Sequence, residues 1–92
     1  MSQTRAWRVE FDADAVRELR KLGAVAERTI IRYLRQRIAT RENPRRFGRP
    51  LTGDLKGLWR YRVDDYRIVA AIEDDRFVVL VVTVGHRREV YD

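Results

Sequence analysis

The thirty-five residues that close the chain, LWRYRVDDYRIVAAIEDDRFVVLVVTVGHRREVYD, leave few folds open. Leu58 to Val63 and Tyr66 to Glu73 are strand-like runs separated only by Asp64-Asp65, a connection that two strands can share only as an antiparallel hairpin. Asp74-Asp75-Arg76 then leads into FVVLVVTV, residues 77–84. That run is apolar on both faces, so it is expected in the interior of a sheet, with at least one side covered. A three-stranded meander is the minimum that this pattern permits.

The cover must come from upstream. Residues Ala6 to Phe11 alternate as a short strand, with Trp7, Val9 and Phe11 on one face. Asp12 stands where a helix N-cap belongs, and Asp14 adds negative charge to the first turn. Val16, Leu19 and Leu22 mark the apolar side of about three helical turns that end at Gly23. A second helix is expected from about Ala24 to Ala39, with Ile30, Ile31, Leu34 and Ile38 as its apolar stripe. Almost nothing joins the two helices, so they should form an antiparallel hairpin. Residues 40–57 carry Asn43-Pro44, Gly48, Pro50, Gly53 and Gly57 and read as a loop. The expected fold is α+β, one domain over residues 1–92, with the order βααβββ and a helix hairpin packed on a curved antiparallel sheet.

Composition narrows the partners. Twenty lysines and arginines face fourteen acids, for a net charge of +6. Only Lys21 and Lys56 are lysine, which leaves eighteen arginines. Arginine presents a planar fork that matches phosphate or carboxylate oxygens two at a time. A nucleic acid or an acidic protein segment is the expected partner, although a GC-rich genome also raises arginine content. There is no cysteine, so neither a disulfide nor a thiolate metal site is available. No run approaches the roughly 18–20 apolar residues of a membrane span, and the N-terminus has no apolar signal core. The expectation is a cytoplasmic protein without membrane, metal or cofactor.

Strand alternation sorts the charges. If Trp59, Tyr61, Val63, Ile68, Ala70 and Ile72 face the helices, Arg60, Arg62 and Arg67 gather on the open face of the sheet. Such a face is either an ordinary solvated surface or a cationic site on rigid strands. The alternation leaves both open. Glu73-Asp74-Asp75 and Asp64-Asp65 are turn residues with no evident third metal ligand.

The tail adds specificity. Val84-Gly85-His86-Arg87-Arg88-Glu89-Val90-Tyr91, behind the YRVDDYRI hairpin, resembles the C-terminal signature of the RelE/ParE toxin superfamily, in particular its RelE branch. The likeness is strong from about Leu51 to Tyr91 and architectural before that. It implies a toxin of a toxin-antitoxin module that cuts messenger RNA, often on the ribosome, and is silenced by a cognate antitoxin. The toxin-antitoxin complex is then expected to bind operator DNA through the antitoxin. Position by position, the resemblance implies catalytic roles for Arg60 and Arg62 before the hairpin, Arg67 after it, Arg87 behind the Val-Gly pair, and Tyr91. His86 is a further candidate. Arg60, Arg62, Arg67 and Arg88 are the implied RNA contacts, and the basic loop with Arg45 and Arg46 is either solvated or a further contact to RNA beside the site.

Metal-free cleavage by the ribose 2′-OH needs a base at that hydroxyl, cations around the phosphorane oxygens and an acid at the leaving 5′-oxygen. Arg60, Arg62 and Arg67 would supply the cations, and Arg87 the phosphate contact or help at the leaving group. Tyr91 would orient or deprotonate the 2′-OH, or stack on a base. Some relatives carry lysines before the hairpin. Arginine stays protonated in proteins, so Arg60 and Arg62 stabilise charge but do not transfer protons. His86 is then either an acid or base or an exposed turn residue. Two other functions share the surface: a ParE-type toxin acting on DNA gyrase without RNA cleavage, and a non-catalytic nucleic-acid-binding module.

Overall fold

The computed structural model describes residues 5–87. Strand β1 (Arg8–Phe11) leads into α1 (Ala13–Leu22), where the Asp12 carboxylate accepts from the Ala15 amide at 2.9 Å and caps the helix as its position suggests. Gly23, at φ 97°, closes α1 and opens α2 (Ala24–Tyr33), so a single residue makes the corner of the hairpin. The second helix keeps its expected length, but its last turn, Leu34–Ile38, widens to a π-turn closed by the Ala39 amide on the Leu34 carbonyl at 2.8 Å. Thr40 then accepts from the Trp7 amide and ties the helix end to the approach to β1.

Strands β3 (Leu58–Val63), β4 (Tyr66–Glu73) and β5 (Val78–His86) form the expected meander. Two features depart from the purely antiparallel, four-stranded expectation. The short β2 (Arg49–Pro50) pairs antiparallel with β3 and adds a fifth strand from the loop, while β1 runs parallel to β5. The order β1-β5-β4-β3-β2 is therefore a mixed sheet. The helix hairpin is the physical reason: it is a crossover long enough to return the chain to the sheet in a parallel sense. It leaves β4 at the centre and β5 interior beside it.

All the helix-facing side chains come from one parity of the strands. Tyr61, Ile68, Ala70, Val79 and Val81 are fully buried with Ala15, Ile30 and Ile38 from the helices. A β-bulge opposite Val69 and Ala70 inserts Val82 into β5 and shifts the alternation, so that Val84 returns to the core. Phe77, at φ 54°, lies in the turn before β5 rather than in it; its ring packs on Trp7 at 5.0 Å, which offsets the strain of a left-handed bulky residue.

Strand β1 stops at Phe11, opposite Val81, so the next amides of β5 have no strand beside them on that side. Helix α1 substitutes. The Glu18 carboxylate reaches across to accept from the Val84 amide at 2.8 Å, in a half-buried position. Glu18→Ala should lower the unfolding free energy by about 1–2 kcal/mol in urea titrations, because a charged acceptor is lost and an amide is left unmatched. Glu18→Gln, which keeps an acceptor, should recover most of that loss.

Candidate functional site

The register places the arginines in rows that run across the sheet. Arg62 lies directly opposite Arg67, and Arg67 in turn opposite Gly85. Two residues back along β3, Arg60 lies between Arg49 of β2 and Val69 of β4. Arg49, Arg60, Arg62 and Arg67 thus share the face away from the helices, because Tyr61 and Ile68 hold the opposite parity in the core.

This face is not a simple solvated surface. Arg60 is only 9% exposed and is the one buried charged residue in the described part of the chain. Arg67 is half-buried and Arg62 exposed. Burying a guanidinium costs free energy, and like charges directly opposite one another in a sheet repel. Arg62 and Arg67, on adjacent strands with Gly85 next across the sheet, present the forked donors that an anion with several oxygens takes up.

Arg87 continues the same alternation one step past β5. Its amide bonds the Asp65 carbonyl at 2.7 Å, and its guanidinium stands 3.9 Å from the Asp65 carboxylate. Arg87 therefore lies beside the β3–β4 turn, next to the Arg62–Arg67 row. Arg88 and Tyr91 lie outside the described residues.

Three candidates fall elsewhere. His86 has the parity of Tyr66 and Val63, on the helix side, and its ring meets the Tyr66 ring edge-on at 6.2 Å. Arg45 is turned toward Trp59, 5.7 Å above its ring, and makes a two-pronged ion pair with Asp74 at 3.0 and 2.6 Å. That pairing holds the Asp74 carboxyl below the usual carboxylate range, so the clasp is complete at neutral pH and weakens only as acid protonates Asp74. Arg46 pairs with Glu42 and lies over Phe47. Neither loop arginine joins the row.

What the loop supplies instead is Arg49, which composition does not distinguish from the other loop arginines. Its one sequence sign is the Gly-Arg-Pro context, which favours an extended residue. Below it, the Tyr61 hydroxyl donates to the Pro44 carbonyl at 2.9 Å, and burial pushes the phenol well above its ordinary pKa. Gly48 packs so closely on Tyr61 that a Cβ there would stand 3.0 Å from the ring. Among the described residues no three His, Asp or Glu side chains come together as a metal site.

A family model described as "ParE toxin of type II toxin-antitoxin system, parDE" matches residues 9–91. Toxin RelE of Mycobacterium tuberculosis is 32% identical over 91 residues, covering 99% of this chain and 92% of that protein. The mRNA interferase toxin RelE of Escherichia coli is 33% identical over 90 residues, covering 94% and 90%. The M. tuberculosis RelBE2 toxin-antitoxin complex superposes with a TM-score of 0.78 at 27% identity, over 97% of this chain and 100% of that one. A free E. coli RelE mutant superposes at 0.70 and 28% identity, over 89% and 84%.

Measured against a short single-stranded polyanion, Arg62→Ala should reduce the slope of log affinity on log salt by about 0.7, the share of one phosphate contact. Arg45→Ala should leave the slope unchanged, because its charge is already spent on Asp74.

Proposed function

This chain belongs to the ParE toxin family of type II toxin-antitoxin systems, and from that premise we propose that it is an endoribonuclease that cuts messenger RNA without a metal ion. The carrying observation is the opposed Arg62–Arg67 pair beside the buried Arg60, three cations held on adjacent strands of one sheet face. Support comes from the E. coli relative, which is named an mRNA interferase.

In this reading the scissile phosphate sits over the Arg62–Arg67 row. The 2′-oxygen attacks phosphorus and the bond to the 5′-oxygen breaks, leaving a 2′,3′-cyclic phosphate and, once the departing oxygen takes a proton from solvent water, a 5′-hydroxyl. Arg60, Arg62 and Arg67 stabilise the charge that accumulates on the phosphorane oxygens. They are carried on β-strands and need no rearrangement to do so. Tyr91 takes the 2′-OH proton or aligns the hydroxyl, and Arg87 contacts the phosphate near the leaving oxygen. His86, with its ring against Tyr66 on the other face, is assigned no role in the chemistry. The site provides charge stabilisation more fully than proton transfer, so efficient cleavage depends on the ribosome to align the substrate. The partner that silences it is an antitoxin, as in the complexes of similar chains, and operator DNA is contacted through that antitoxin.

The decisive experiment adds the purified protein to a translating extract and to the same message without ribosomes, with the new 5′ ends mapped. Cuts in translated message that disappear when the 2′-OH at the cut is replaced by hydrogen would support this function. Arg67→Ala should slow cleavage by about 100-fold, in the range for loss of one fixed charge-stabilising donor. Tyr91→Phe separates phenol chemistry from stacking, since the ring is kept. An intact message together with arrested DNA gyrase would place the chain with gyrase-directed toxins instead.

A further inference from the structure

A second anionic subsite lies at the β2–β3 edge. There a groove of about 310 Å³ is lined by Arg49, Pro50, Leu51, Thr52, Arg60 and Arg62, with no acid among them. Among the described residues, Arg49 and Arg62 have no hydrogen-bond or ion-pair partner. Arg8, Arg17, Arg45, Arg46 and Arg76 are each paired with a carboxylate, whereas Arg49 and Arg62 meet in one groove with Arg60.

Arg49 is also held in place. Pro50 restricts the backbone after it, and Gly48 before it is packed against Tyr61. Leu51 is buried and its amide bonds the Leu58 carbonyl at 2.9 Å. Little backbone freedom remains to be lost when Arg49 takes up a ligand. The Arg49–Arg60 row lies two residues along β3 from the Arg62–Arg67 row, roughly 6.6 Å at ordinary strand rise. Successive phosphates of an extended nucleic-acid strand have a similar spacing.

We infer that this groove is a phosphate subsite for the nucleotide next to the scissile one, with Arg49 as its principal contact and the Thr52 edge as its wall. The subsite rests on the RNA-cleaving reading and deepens it: the substrate backbone crosses the sheet from the Arg62–Arg67 row toward β2. Arg49 binds and aligns the strand but does not touch the reacting atoms.

The test uses a short RNA made non-cleavable by a 2′-O-methyl group at the cut, in two forms: all phosphates charged, or one flanking phosphate replaced by an uncharged methylphosphonate. The wild-type protein should bind the methylphosphonate form about tenfold more weakly, the loss expected of one charge-assisted contact. Arg49→Ala should bind the charged form about tenfold more weakly and should no longer distinguish the two. Arg49→Lys should recover part of the affinity, and thermal unfolding of both variants should match wild type. On cleavable RNA, Arg49→Ala should raise KM and spare kcat, whereas Arg67→Ala lowers kcat. Equal discrimination by wild type and Arg49→Ala, at every flanking position tried, would overturn the subsite while leaving the cleavage proposal intact. Loss of discrimination in Arg49→Ala with no cleavage by wild type would support the subsite and remove the nuclease. Failure of the wild-type protein to bind the charged RNA would overturn both.

Discussion

The site depends on one constraint, the parity of the β3–β4 hairpin. Tyr61 and Ile68 are completely buried and directly opposite each other. Their seats in the core fix which way every neighbouring side chain points. A slip of one residue would bring Arg60, Arg62 and Arg67 into the apolar interior and expose Tyr61, so the register is set by the cost of burying charge as much as by the turn. The two-residue Asp64-Asp65 connection, with Asp64 at φ 52°, then aligns Arg62 with Arg67.

Having concentrated positive charge on one face, the fold must hold itself together from the other. Tyr61 does so twice. Its ring fills the core under the helices, and its hydroxyl fastens the loop at Pro44, which carries β2 to the sheet edge. Arg45 and Asp74 close the same loop against the far turn, with Trp59 beneath the guanidinium. Glu18 completes β5 where β1 runs out, and so steadies the strand that leads into Gly85, His86 and Arg87. Each of these contacts lies off the arginine face, and each supports a residue on it.

The arginines of the loop and sheet consequently differ in how they are paired. Arg45, Arg46 and Arg76 are neutralised by nearby carboxylates and serve structure. Arg49 and Arg62 have no carboxylate partner among the described residues, and Arg60 is buried. Net charge alone does not distinguish the groups. For the similar RelE proteins, the likeness in fold is therefore less informative than the placement of these few side chains.

Local chemistry was enough to read much of this protein from its residues. Period-two alternation and a two-residue turn specify the hairpin, Asp12 and Gly23 bound the first helix, and Tyr61 with Val63 on one parity sends Arg60 and Arg62 to the other. These are short-range consequences of backbone geometry, and the chain carries them wherever it folds. The rest required elements distant in sequence to meet. That β1 lies parallel to β5 follows from where the helix crossover lands, and that Arg49 joins Arg60 follows from how the loop is pinned by Tyr61 and Leu51. Arg45 is withdrawn from the site by Asp74, twenty-nine residues away. His86 is turned from the arginines by the bulge at Val82, which shifts the alternation of β5 by one residue. A charge's partner is a property of three-dimensional proximity, which composition and spacing do not encode.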